Sequence, residues 1–434
     1  MTGRRWTEIE ALTLTQDEIR GKLESNRKTR QPYLTVNNFL TVMRFDSRFA
    51  DVKYNELAQR AEIHTTVNGM PTIKYWSDAE EASCREYIET TYGFYSKAKS
   101  DDALRIFLQE RNYNPVKDII ENVEWDGTER CEHFLHEWAK VDDSPYSREV
   151  SRLIFAGGIS RLYMPGIKFD DVPVLIGTKQ GEGKSTLIKW LALNDTFYGE
   201  VNIMEGTQAI EQLQGKWICE ISELLALTKT KEQEAAKAYI TRQVDTYRKP
   251  WDKNVSDLPR RCIMIGSTNR DDFLTDKSGN RRWYPVEVHS NGYELHDHED
   301  ECREYILQCW AEARDKFKAG KMPNYADRSL VSEYRRAQSE AMQDDWREGA
   351  ILEFLATKMP GDLTCVREIC HKALSPNKDF PRDPSFSESK DIGMFMNKQE
   401  DWESVGRKRL EDYGQQRAWR KKDNATYTQE ELPF

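Results

Sequence analysis

The spacing of apolar positions along the chain changes twice, and the changes divide it into three stretches. Residues 1 to about 105 alternate short helical patterns with turns. LTVMRF (40–45), YNELAQRAEI (54–63) and DAEEASCREYIETTYGF (78–94) each place apolar residues at helical spacing. The expectation is a small, mostly helical unit with some strand. A linker punctuated by Pro115 and the Trp125-Asp126-Gly127 turn follows. Two amphipathic helices are then expected, FLHEWAKV (134–141) and SREVSRLIFAGGISRLY (147–163), ended by Pro165-Gly166. From residue 168 the pattern becomes strand alternating with helix. VPVLIG (172–177), KWICEI (216–221), CIMIGST (262–268) and RWYPVEV (282–288) are compact apolar runs. TLIKWLAL (186–193), a long polar stretch 229–247 and the segment 299–318 read as helices. Continuous apolar runs between helices predict a mainly parallel sheet covered on both faces. Residues 346 to 422 predict three helices, WREGAILEFLA (346–356), TCVREICHKAL (364–374, with Thr364 as N-cap) and SKDIGMFMNKQ (389–399). Two strand-like runs, DWESV and QQRAW, close the stretch. That is the element order of a winged helix-turn-helix. The expected domains are 1–105, 106–345 and 346–422, with a flexible tail at 423–434.

Composition narrows the class. Charged residues are 32% of the chain and apolar residues 38%, enough for a packed core. The apolar runs are far shorter than the ~20 residues a membrane span needs, and no apolar segment follows the N-terminal charges. A cytoplasmic protein that does not engage a membrane is expected. The eight Cys form no CxxC pair and the seven His are scattered, which favours reduced thiols over a metal cluster. With 64 Lys and Arg against 74 Asp and Glu, the net charge is −10. Overall basicity therefore cannot hold nucleic acid, and any such contact must be local.

Chemistry concentrates in LIGTKQGEGKST (175–186). A buried strand enters a Gly-rich turn that opens a helix, so backbone N–H groups can surround a phosphate. Gly181 and Gly183 permit close backbone approach. Lys184 would reach the β- and γ-phosphates and Ser185 would hold Mg²⁺, with Gln180 and Thr186 in the same loop. The motif's first glycine falls at Thr178, whereas the available one is Gly177, one residue earlier. The plain alternative is a Gly-rich turn with no ligand. In WICEISEL, Glu220 ends an apolar strand where Mg²⁺ would be reached through water. Glu223 follows in the turn and could polarise the attacking water. An ordinary solvated strand end is the alternative. Asn269, after the third core run, could hold that water against the γ-phosphate. Arg281 and Arg282, in SGNRRW, are candidates to neutralise transition-state charge; a surface ion pair with Asp271, Asp272 or Asp276 is the alternative.

In this order, NPVKDII, EWDGTER, LIGTKQGEGKST, WICEISEL, DTYRKPW, PRRCIMIGSTN and FLTDKSGNRRWYPV resemble the virulence-associated E family of P-loop ATPases. That family is similar to superfamily 3 (AAA+ type) helicases of phages and mobile elements. The resemblance spans roughly 110–345. It implies ATP and Mg²⁺ as cofactors and Glu220 and Glu223 as the acidic pair. It also implies Asn269 as sensor, Arg281 or Arg282 as a finger reaching a neighbouring subunit, and a homo-oligomeric ring. It places a DNA-facing loop at YRKPWDKN, with Arg248, Lys249, Trp251 and Lys253 as contacts.

The C-terminal stretch adds a second basic feature. Residues 402–422 hold seven Lys or Arg and three Asp or Glu. Arg407, Lys408, Arg409, Arg417 and Arg420 would contact phosphates from the wing, with Lys390 and Lys398 flanking the third helix. A solvated basic hairpin is the alternative. The function expected is an ATP-dependent DNA helicase in phage or mobile-element replication, working with DNA and other replication proteins. The rival is a nucleotide-switched DNA-binding or regulatory ATPase without unwinding activity.

Overall fold

The computed structural model describes residues 13–177, 179, 181–222, 230–248, 255–269, 273–274, 280–341, 346–375 and 381–423. The chain forms two compact units, 1–342 and 343–434.

The first unit begins with α1 (Gln16–Lys22), α2 (Val36–Phe45), β1 (Val52–Asn55), β2 (Arg60–Val67), β3 (Met70–Tyr75), α3 (Asp78–Tyr92), α4 (Lys97–Glu110) and β4 (Asn112–Tyr113). The strands form a sheet in the order β3-β2-β1-β4. Helices α2, α3 and α4 pack through Phe39, Met43, Ile88 and Phe107. Two expectations are corrected here. YNELAQRAEI is not helical: Asn55 accepts hydrogen bonds from Leu57 and Ala58 N–H, and that turn folds β1 back onto β2. The N-terminal piece also runs past residue 105, because α4 continues to Glu110 and β4 pairs with β1.

Next come α5 (Pro115–Glu121), α6 (Phe134–Ala139) and α7 (Pro145–Tyr163). Helix α7 is buried nearly all round, Ser151, Ser160 and Arg161 included, rather than amphipathic. A Cβ at Gly158 would lie 2.5 Å from the Trp310 ring, so the helix needs glycine there to admit the indole.

The central sheet follows. Its elements are β5 (Val172–Gly177), α8 (Lys184–Leu191), β6 (Tyr198–Glu200), α9 (Gln208–Glu211), β7 (Ile218–Ser222), α10 (Thr230–Ile240), β8 (Val244–Tyr247), β9 (Ser256–Pro259), β10 (Ile263–Thr268), β11 (Trp283–Val288), α11 (Gly292–Asp297), α12 (Glu299–Lys318) and α13 (Val331–Glu340). The order is β11-β5-β10-β7-β6, and every pairing is parallel. Leu175, Ile218, Ile263 and Ile265 enter one core, and Val174, Ile176, Cys219 and Met264 enter the other. Burial on both faces is why these strands read as unbroken apolar runs. The helix expected over 229–247 stops at Ile240. Val244–Tyr247 instead pairs with Ser256–Pro259, and Asp245 meets Arg260 at 2.7 Å in a buried ion pair.

The second unit contains α14 (Trp346–Ala356), β12 (Leu363–Cys365), α15 (Val366–Ile369), α16 (Phe386–Met396), β13 (Trp402–Leu410) and β14 (Gly414–Lys421). Its sheet order is β12-β14-β13, over a core of Ile351, Leu355, Ile369, Met396 and Trp419. Thr364 lies in β12, and the helix cap is Cys365, whose sulfur accepts from Glu368 N–H. Beyond α15 the chain continues as a π-helical turn, Cys370–Leu374. Among the described residues no helix is long and apolar enough to cross a membrane, and all eight cysteines are free and buried.

Candidate nucleotide site

In an open parallel sheet, ligands gather beyond the carboxyl ends of the strands. Strand β10 lies between β5 and β7, so the residues that end these three strands come together. A cleft of about 490 Å³ opens there, lined by Gly181, Glu182, Gly183, Lys184, Ser185, Thr186, Ser222, Ser267, Thr268, Asn269, Gly292 and His296.

Lys184 starts α8 and is buried. Its Nζ donates to Asn269 Oδ1 at 2.8 Å and lies 3.3 Å from Glu182 Oε2. Ser185 Oγ donates to Glu220 Oε1 at 2.7 Å. Glu220 is fully buried and also accepts from Ser267 Oγ and Tyr198 Oη. Three hydroxyls thus satisfy one buried carboxylate, which would be costly to leave unpaired. Burial, and then the bond to Glu220, push the Tyr198 phenol pKa up and keep it a donor.

The position of the first glycine has a geometric explanation. A Cβ at Gly177 would sit 1.9 Å from Glu182 Oε2 and 2.0 Å from Lys184 Nζ, so the loop's own side chains fill the space above β5. Gly181 (φ +89°) and Gly183 (φ +77°) both adopt the left-handed region.

Several participants were invisible to sequence reasoning. Gly292 N–H donates to Gly181 O at 2.8 Å, Ser290 Oγ donates to Glu182 O, and Leu295 packs against Gly183. The segment after β11 therefore clamps the loop. His296, which stands among acids in sequence, lines the cleft with its ring 5.8 Å from Trp190. Tyr198 and Ser267 were also missed. Only the position of Ser267, two residues before Asn269, hinted at its part.

The hard oxygens of Ser185 and Glu220 suit Mg²⁺, which takes one or two protein ligands and completes its shell with water and phosphate. When bound, the ion would neutralise charge between the phosphates. Thr178, Gln180, Glu223, Lys249, Trp251 and Lys253 lie outside the described residues. Arg248 is described and exposed, just after β8.

Arg281 and Arg282 are not at this cleft. They form the turn that begins β11, whose Trp283 is in register with Val172 at the start of β5. They line a second cleft of about 490 Å³ with Lys168, Asp170, Asp171, Arg328, Tyr334 and Arg335. Arg282 Nε has no hydrogen-bond acceptor, and Asp170 is 3.6 Å away. Among the described residues no carboxylate pairs with Arg281, Arg328 or Arg335.

In the second unit Arg407, Lys408, Arg409, Arg417 and Arg420 are exposed, as are Lys390 and Lys398. Arg407 stands directly opposite Arg417 across the β13–β14 pair, and Arg420 pairs with Glu403.

The virulence-associated protein E-like domain family matches residues 120–347, more than half of the chain. No curated protein sequence matches it significantly. Similar solved structures include the A form apo structure of the NrS-1 C terminal region, with 12% identity and a TM-score of 0.48, covering 85% of this chain and 96% of that one. Another is the apo structure of the NrS-1 C terminal region, with 13% identity and a TM-score of 0.45, covering 84% and 95%.

Proposed function

Since the chain belongs to the virulence-associated protein E-like family, we propose that it is an AAA+-type, Mg²⁺-dependent ATPase that moves along or unwinds DNA during phage or mobile-element replication. The observation that carries this reading is the convergence of Lys184, Ser185 and Asn269 on one cleft, with the buried Glu220 bonded to Ser185 behind its wall. N–H groups of the 181–185 loop and Lys184 would hold the phosphates, Ser185 would hold Mg²⁺ with Glu220 reaching it through water, and Asn269 would orient the attacking water. Glu223 is the candidate base.

The arginines act on a second copy. The six residues of β5 and β11 separate Arg281 and Arg282 from Lys184 by roughly 20 Å at ~3.3 Å per residue. These side chains therefore cannot stabilise a phosphate held by their own loop, and a neighbouring subunit's nucleotide is their substrate. On this reading identical subunits form a ring, each supplying its arginines to the next.

The second unit is read as a winged helix. Like charges directly opposite each other in a hairpin are unfavourable, and a DNA phosphate between Arg407 and Arg417 removes that cost.

The test is ATP turnover with and without single-stranded DNA, together with displacement of a strand from a forked duplex. Lys184→Ala should lower turnover by about 10²–10³-fold, as removing a charge-stabilising donor does. Unchanged turnover in that variant refutes the site. DNA-stimulated turnover without strand displacement would mark a nucleotide-switched DNA-binding protein instead.

A further inference from the structure

The N-terminal piece carries a basic feature that the functional reading above leaves unused. Between α1 and α2 the chain folds into a short hairpin. Tyr33 N–H donates to Glu24 O at 2.8 Å, Ser25 bridges Pro32, and Asn26 N–H donates to Gln31 O at 2.9 Å. Its base is fixed by Asn38, which is fully buried. The Asn38 side chain accepts from Glu24 N–H and donates to Glu24 O and Tyr33 O, each at 2.8 Å. Its tip is fixed by Asn26, whose Oδ1 accepts from Lys28 and Thr29 N–H at 2.9 and 3.2 Å. The tip's backbone donors are thus turned inward, and its side chains are left outside.

Those side chains are Arg27, Lys28 and Arg30, all exposed. Residues 26–34 contain three cations and no acid, in a chain of net charge −10. Several cations elsewhere in this region find carboxylates: Arg20 meets Asp17, Arg44 meets Glu110, Lys74 meets Glu80 and Arg85 meets Asp101. Among the described residues the three at the tip meet none. Beside them Tyr33 and Leu34 are 48% and 53% exposed. A pre-ordered cationic tip next to an open aromatic face is the chemistry that holds a phosphodiester backbone and stacks an unpaired base.

We propose that the hairpin at residues 24–34 is a single-stranded nucleic-acid site, with Arg27, Lys28 and Arg30 on phosphates and Tyr33 against a base. The three cations add to affinity without sequence preference, and Tyr33 discriminates against duplex, whose bases are already stacked. The site stands apart from the nucleotide cleft, so it binds without ATP.

Fluorescence anisotropy of a labelled 20-nucleotide oligothymidylate on the full chain, without ATP and over a range of salt, tests this. An R27A/K28A/R30A variant should bind about 10- to 100-fold more weakly at low salt. Its slope of log K against log salt should shrink by about 2, from three phosphates at ~0.7 each. Tyr33→Ala should weaken binding about 5- to 100-fold with the slope unchanged, and Tyr33→Phe should restore it. A 20-base-pair duplex should be insensitive to Tyr33→Ala. Four results overturn the proposal: wild-type affinity in the triple variant, wild-type affinity in Tyr33→Ala, equal loss on duplex and single strand in Tyr33→Ala, or tip-dependent capture of a polyglutamate of equal charge. These measurements use no ATP, so failure of the ATPase reading, seen as unchanged turnover in Lys184→Ala, is visible separately.

Discussion

The two ends of strand β5 are built on opposite terms. At its carboxyl end the charged groups satisfy one another: Lys184 engages Asn269 and Glu182, and Glu220 engages Ser185, Ser267 and Tyr198. At its amino end Arg281, Arg282, Arg328 and Arg335 line a cleft with Asp170 and Asp171, and Arg282 Nε lacks a hydrogen-bond acceptor although Asp170 is 3.6 Å away. At the first end a bound nucleotide, as proposed above, would have to replace these internal bonds with its own. The second has more cations than acids among the described residues, and the function proposed above gives that surplus to a neighbouring subunit's nucleotide.

The sharpest way to break this contrast is at the amino end. An R281A/R282A variant should lose about 10³-fold in ATP turnover, the scale of an arginine finger, while binding ATP as the wild type does. Mixing it with Lys184→Ala should recover activity, since each variant supplies the half the other lacks. Loss of ATP binding in the arginine variant, or no recovery on mixing, would collapse the distinction between the ends.

A smaller effect probes the clamp on the loop. A Cβ at Gly292 would lie 2.2 Å from Gly181 O, a backbone atom that cannot swing aside. Gly292→Ala should therefore displace the loop and weaken ATP affinity about tenfold, on the ~1–3 kcal/mol scale of overpacking. Unaltered affinity by calorimetry would mean that the clamp does not shape the loop.

The smallest effect is read in stability. Burial, and next the neighbouring Asp170, raise the Asp171 pKa to about 6. In an unfolded chain the value is ~3.9. The folded protein therefore holds a proton that the unfolded chain has released between these values, and stability falls as pH rises from about 4 to about 6. Asp171→Asn should remove that slope and raise stability at pH 7 by on the order of 1–3 kcal/mol. Thermal melts at pH 4.5 and 7 decide it: parallel curves for the two proteins would refute a raised pKa for the half-buried Asp171 in the arginine cleft.

How much of this was legible in sequence depended on which interactions define each element. Strands β5, β7, β10 and β11 were readable because burial on both faces makes them continuous apolar runs. Lys184, Ser185, Glu220 and Asn269 were readable because each sits at or just past the end of such a run. The 54–63 segment was misread because Leu57 and Ala61 imitate helical spacing, whereas side-chain bonds from Asn55 decide the turn. The pairing of 244–247 with 256–259 was missed because its anchor, Asp245 with Arg260, joins residues fifteen apart. Gly292, Ser290 and Tyr198 were beyond reach for the same reason. They serve the site only through contacts with residues far from them in sequence.

The edge strand β11 carries a consequence of its own. It begins directly after the Arg281-Arg282 turn and ends just before Ser290 and Gly292, the residues that grip the phosphate loop. Hydrogen-bonded along its whole length to β5, it behaves as a stiff rod about 20 Å long. In the ring proposed above, a push on the arginine turn by a neighbour would reach the loop clamp or be stored as strain in the sheet. Timing between successive subunits would then be available from a single strand.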